Sequence, residues 1–259
     1  KYGSFATSAG YADFYAIYSK MPVNVEGDVK YIAILCFKNE VRAYSGDWDA
    51  MGLHGNMSGE VVIDATLPTD RIIGCLDGNT IMTESVGITF KLLLSSGWNG
   101  VAMACMDVAK KHVTRKYMGD VGMRVCDFPS VQDYFGRCLC STNTCRLTIF
   151  SLAQQLDAVS NCSGWATISG DSPLPRSPYS LWLLEAKHNS CENVNKVADL
   201  MMKACGGTGY KTEMGLERLM RDSRAGGIMN PTCEIIRLIV GQNCLQESEA
   251  LKYCEQKIY

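Results

Sequence analysis

The residues best placed for chemistry crowd into one stretch, positions 206–242, reading GGTGYKTEMGLERLMRDSRAGGIMNPTCEIIRLIVGQ. Gly206, Gly207 and Gly209 predict a tight turn open to left-handed backbone. Leu216, Leu219 and Met220 share one apolar helical face, and Glu217 and Arg221 form an i,i+4 ion pair on the other. Arg218, Arg221 and Asp222 read as a structural pin between helices rather than a reactive set. Asn230 followed by Pro231 reads as a helix start, a capping side chain and then a first-turn proline with no donor to lose. The helix after it is expected to bury Ile235, Leu238, Ile239 and Ile236. Glu213 and Glu234 are the nearby carboxylates; one helical turn inside, Glu234 is expected to point away.

Elsewhere the chemistry-bearing residues are sparser. Of 13 cysteines the tightest group is Cys138, Cys140 and Cys145, in FGRCLCSTNTC. A zinc site wants C-x-x-C pairs and a distant fourth ligand, so no metal is expected and these read as buried, reduced thiols. His54 sits in a glycine-rich loop and reads as a loop residue. Asn56 and Asn161 stand in N-x-S sequons, a pattern short enough to arise by chance.

The frame that must position these residues is an ordinary globular one. Apolar residues make up 47% and charged residues 20%, with net charge −2, which leaves no basic stripe for nucleic acid and no polybasic membrane patch. The most apolar run, 92–106, is broken by Ser95, Ser96 and Asn99. The start carries neither Met nor a secretory signal pattern, so residues are expected upstream. Residues 1–74 read as β, with strands expected at 11–18 (YADFYAIY), 29–37 (VKYIAILCF) and 61–66 (VVIDAT), separated by glycine- and aspartate-rich turns. From about residue 79 the pattern turns helical, with helices expected at 83–117, 130–160, 181–204, 213–223 and 231–241, and a proline-rich connector (DSPLPRSPYS) before the third. The expected class is α+β, mostly α: a partial β-barrel domain over 1–74, then a C-terminal four-helix-bundle domain over 75–259.

The 206–242 stretch resembles the C-terminal end of the acyl-CoA dehydrogenases, which reads GG-x-GY, then E-x-x-x-ERL-x-RD, then YEGTSEIQR-L-I. Residues 4–20 resemble that family's WITNGG-x-ADF strand, 48–68 its GMRG-x-x-S segment, and 100–119 its G-x-x-x-x-A-L-x-x-A…R-x-x-FG helix. The resemblance implies a middle β-barrel and a helical domain that forms a tetramer core, with FAD between them. It also implies a mitochondrial-matrix or bacterial cytoplasmic setting, and an acyl-CoA thioester whose α-proton goes to a glutamate while hydride goes to the flavin. Electrons then pass to an electron-transferring flavoprotein. By family position, Thr7, Arg115, Gly206, Gly207 and Thr232 would contact FAD.

The same resemblance exposes departures. The family's two base positions fall at Asn230 and Phe90, neither a carboxylate, so no catalytic residue is expected. Phe5, Met118, Pro129 and Lys203 stand where the family has other flavin-contacting residues, and the family's N-terminal helical domain has no counterpart in the sequence. Three readings stay open: a degenerate structural or assembly subunit of a larger complex, a half-site subunit completed by a partner chain, and an FAD-dependent dehydrogenase acting on CH–CH bonds that is seen only in part. All three imply protein partners, as a homo-oligomer or a larger complex.

Overall fold

The computed structural model describes residues 1–21, 31–44, 46, 48–74, 77–160 and 176–246. Asn161, the connector 171–175 and the cysteines at 75, 162 and 254 lie outside them. The chain forms two compact units, one of Lys1–Phe90 with Leu156–Pro178, the other of Lys91–Gln155 with Tyr179–Tyr259.

In the first unit, β1 (Tyr2–Ala6), β5 (Gly59–Ile63) and β4 (Val41–Ala43) form a three-stranded antiparallel sheet in the order β1-β5-β4. A separate antiparallel pair joins β2 (Phe14–Lys20) to β3 (Tyr31–Phe37), with Phe14 opposite Phe37 and Lys20 opposite Tyr31. Side chains alternate across a strand, and the inward set, Tyr15, Cys36, Val41, Val61 and Ile63 with Ala9, makes the core. The strand expected from residue 11 starts only at Phe14. A tight turn precedes it, with Ser8 at φ 59° and the Tyr11 amide bonded to Ser8 O at 2.9 Å. Arg71 Nη1 donates to both oxygens of Glu40, at 2.5 and 2.6 Å, and the guanidinium lies 4.6 Å from the Phe37 ring centroid. That pair closes the end of β3.

The helix expected over 83–117 is shorter and enters differently. A short α1 (Gly78–Ile81), capped by the Asp77 side chain, runs into a π-type turn at Met82–Val86 before α2 (Gly87–Val113). After α2 the chain makes a two-residue ladder, β6 (Tyr117–Met118) with β7 (Met123–Arg124), around Gly122 at φ +74°. That hairpin ends the helix early, because the GDVG turn needs left-handed backbone that only glycine adopts freely.

The second unit is helical: α3 (Pro129–Ser160, shared with the first unit), α4 (Ser180–Gly209), α5 (Leu216–Ile228) and α6 (Cys233–Gln246). Its centre is α4, whose buried Leu183, Leu184, Cys191, Val194, Val197, Ala198 and Met201 recur at three- and four-residue spacing. Both α5 and α6 pack on α4. α6 buries Cys233 and Ile236, whereas Ile235 and Leu238 stay 45% and 56% exposed, against expectation. A 14-residue helix seated on one neighbour covers a single stripe, and those two positions fall off it.

α5 comes close to its neighbours at Gly226. A Cβ there would sit 3.0 Å from the Trp98 ring and 3.1 Å from Cys191 Sγ. Gly226→Val should therefore overpack the unit, at a cost of about 1–3 kcal/mol in chemical denaturation. An unchanged midpoint would show that the two helices can separate freely.

Candidate functional site

The position at which the family resemblance implies a base falls in the linker Met229–Thr232, between α5 and α6. α5 closes with the Met229 amide on Ala225 O at 2.8 Å. Asn230 is exposed and its bond to Pro231 is cis. The cap expected of Asn230 belongs instead to Thr232. Its Oγ1 accepts from the Ile235 N–H at 3.3 Å, and its carbonyl accepts from Ile236 at 2.9 Å. The hydroxyl stands immediately before the first helical residue, where the orphan amides point; Asn230 stands two residues too early. Thr232→Ala should cost about 1 kcal/mol, read as a lowered thermal midpoint.

Neither nearby carboxylate substitutes for a base at 230. Glu234 is exposed and bonds Arg237 Nη2 at 3.1 Å; backbone amide bonding first, then Arg237, holds its carboxyl below the usual range. Glu213 precedes α5 and residue 230 follows it, so 13 helical residues separate them, a rise of about 20 Å. Phe90, in the first turn of α2, is 42% exposed. His54 bonds locally, its Nε2 donating to Ala50 O at 2.7 Å. The ion pair expected between Glu217 and Arg221 is present at 2.8 Å.

The candidate cofactor residues are distributed over both units. Thr7 lies one residue past β1, in the turn, exposed, on the wall of a cavity of about 410 Å³ that also meets Phe5, Phe14 and Tyr15. In the second unit, Arg115 is exposed in the turn after α2. It lines an open cavity of about 530 Å³ with Lys111, His112, Lys116 and Met214. Gly206 and Gly207 are exposed near the end of α4, and only Gly206 takes left-handed φ, 57°. A Cβ at either would meet nothing within 4 Å. Lys203 pairs with Asp199 at 2.7 Å, and Pro129 is the first residue of α3, with no N–H to offer.

An anionic phosphate fits the cations around Arg115. Phe5, which the resemblance sets at the ring end, is 80% exposed and its side chain carries no hydrogen-bonding group, so that end fits poorly. The residues therefore suit part of FAD, and no proton or hydride step follows from them.

Sequence reasoning passed over Lys187, near the start of α4. Its side chain is 0% exposed and its Nζ donates to the carbonyls of Gly226, Met229 and Pro231 at 3.3, 2.9 and 2.6 Å. The one sequence signal was a lysine on the apolar face that carries Leu183, Cys191 and Val194.

Comparison with known proteins agrees with this architecture. The family model "Acyl-CoA dehydrogenase, C-terminal domain" matches residues 89–245. Glutaryl-CoA dehydrogenase of Desulfococcus multivorans is 26% identical over 194 residues, covering 74% of this chain and 45% of that protein. The caffeyl-CoA reductase-Etf complex subunit CarC of Acetobacterium woodii is 24% identical over 250 residues, covering 94% of this chain and 60% of that protein. An acyl-CoA dehydrogenase from Bacillus anthracis, solved with FAD, superposes with TM-score 0.79 at 19% identity, over 97% of this chain and 42% of that one. The chain thus spans about half the length of the relatives it matches.

Proposed function

The chain belongs to the acyl-CoA dehydrogenase family, whose members bind FAD, and on that premise we propose that it is a degenerate member serving as a structural or assembly subunit of a larger complex. The carrying observation is the linker at 229–232, which presents an exposed amide, Asn230, where the family resemblance expects a carboxylate. An amide has no basic lone pair near neutral pH. The alternative position, Phe90, offers a phenyl ring. In this reading residues 1–74 and 75–259 are the β part and the helical part of the subunit. Mitochondrial relatives such as isovaleryl-CoA dehydrogenase of Solanum tuberosum favour a mitochondrial setting, and among the described residues no helix is long and apolar enough to cross a membrane.

A second reading is favoured by one observation, the cations gathered at Arg115. Here the chain is part of an FAD-dependent acyl-CoA dehydrogenase whose base comes from residues outside it or from a partner. Bound FAD would supply hydride acceptance, and Arg115, Lys111 and Lys116 would hold its phosphates.

The visible spectrum of the purified protein, taken after incubation with FAD and gel filtration, tests the choice. The structural reading expects no retained flavin band. A stoichiometric band that Arg115→Ala abolishes would replace it with the second reading.

A further inference from the structure

Lys187 is fully buried, and its ammonium meets backbone on every donor. The three N–H groups of an ammonium are matched by three carbonyl oxygens, from Gly226, Met229 and Pro231. A neutral amine has only two N–H donors and a lone pair, so one of the three carbonyls would then face a lone pair. Gly226 belongs to the last turn of α5, where unpaired carbonyls carry the negative end of the helix dipole. The other groups facing Nζ are the thiols of Cys191, on α4, and Cys233, on α6. Burial pushes Cys191 up to about 12 and raises Cys233 as well, so both stay neutral at ordinary pH. Burial pushes the lysine down, whereas hydrogen bonding of the ammonium to carbonyl oxygens favours the charged form.

We propose that Lys187 is a positioning residue: a buried ammonium that fixes the course of the linker between α5 and α6, and with it the place at which residue 230 is presented. The linker is then held at two points. Lys187 draws its carbonyls inward at 229 and 231, and Thr232 anchors its exit as the cap of α6. Asn230, between them, is left turned to the surface. This concerns the chain's own backbone, and it stands whether or not the protein binds flavin.

A lysine that acted only as a spacer would be replaced harmlessly by methionine, of similar length and without charge, while arginine would be too large. A cation that holds carbonyls gives the opposite order. The test is peptide-resolved hydrogen exchange on the full chain as purified. In Lys187→Met, exchange over 227–236 should rise about tenfold or more, because buried carbonyls lose charged donors. Peptides from the middle of α3 should stay unchanged, and Lys187→Arg should remain nearer the wild type than Lys187→Met. Accessibility of Cys233, now 1% exposed, to a maleimide should rise in the same order. A silent Lys187→Met, or Arg worse than Met, would overturn the proposal. If Lys187→Met does not fold, the wild type decides: with ¹⁵N-lysine labelling, one ζ-ammonium signal should persist near neutral pH, where exposed ammonium protons exchange away. Absence of any such signal would equally overturn it.

Discussion

Mixing the chain anaerobically with FAD and a range of acyl-CoA thioesters should leave the flavin oxidised. Abstraction of an α-proton needs an acceptor within hydrogen-bond reach, and a positioned base contributes roughly 10²–10⁴-fold in rate. At 230 the acceptor is an exposed amide, and at 90 it is a half-exposed phenyl ring. Glu234 does not stand in, since it is ion-paired to Arg237 on the solvent face and its lowered pKa makes it a weaker base. Stopped-flow absorbance would show any bleaching. If the wild type bleaches, the degenerate reading is wrong, and Glu234→Gln and Glu213→Gln would show whether a displaced carboxylate is responsible. If it does not, Asn230→Glu asks whether the base alone is missing. We expect that variant to stay silent, because Phe5 also stands where the family resemblance implies a different flavin-contacting residue.

Light scattering at micromolar concentration should find the chain associated rather than monomeric. α6 leaves Ile235 and Leu238 half exposed with Leu245 at 88%, and α3 leaves Leu147 and Phe150 at 70% and 55%. Apolar side chains of this size stabilise a contact by roughly 1.5–3 kcal/mol each when fully buried. Placing charges on α6, as Ile235→Glu with Leu238→Lys, removes that gain and adds a desolvation cost. Association should weaken by about a hundredfold or more, moving the scattering mass toward 28.5 kDa. A mass unchanged by the double variant would place the partner-facing surface elsewhere, and a wild-type monomer would remove the case for a self-assembling subunit.

Long, strongly periodic segments were legible in the sequence. The β-to-helix change and the helices that became α3, α4, α5 and α6 all follow from apolar spacing, and the start of α4 follows from a serine-proline entry; its end, expected at 204, lies at Gly209 beyond a break at Gly206. Termini read less well, because they depend on which polar group is nearest the orphan amides. Asn230 has a capping side chain and Thr232 has one too, and the backbone path chooses between them. The end of α2 was misplaced because a four-residue turn, GDVG, outweighs the helix propensity around it. The burial of Ile235 and Leu238 was misjudged for a different reason: composition marks a residue as apolar, but only a neighbouring surface can cover it. Lys187 was invisible on the same ground. Lysine is almost always solvated, and its role depends on carbonyls that lie 39 to 44 residues away.

The bare backbone at Gly226 also makes the helical unit report on itself optically. With no side chain on α5 at that point, the Trp98 indole and the Cys191 sulfur both come within 3.1 Å of the same vacant direction. Trp98 is 5% exposed, and among the described residues its N–H has no acceptor. An indole shielded from water emits toward the blue, and a nearby thiol drains the excited state. Of the four tryptophans in the chain, this one should therefore be dim while α5 is seated, and should brighten and shift red as the helices part. Its emission registers the seating of one helix, while circular dichroism registers only how much helix there is.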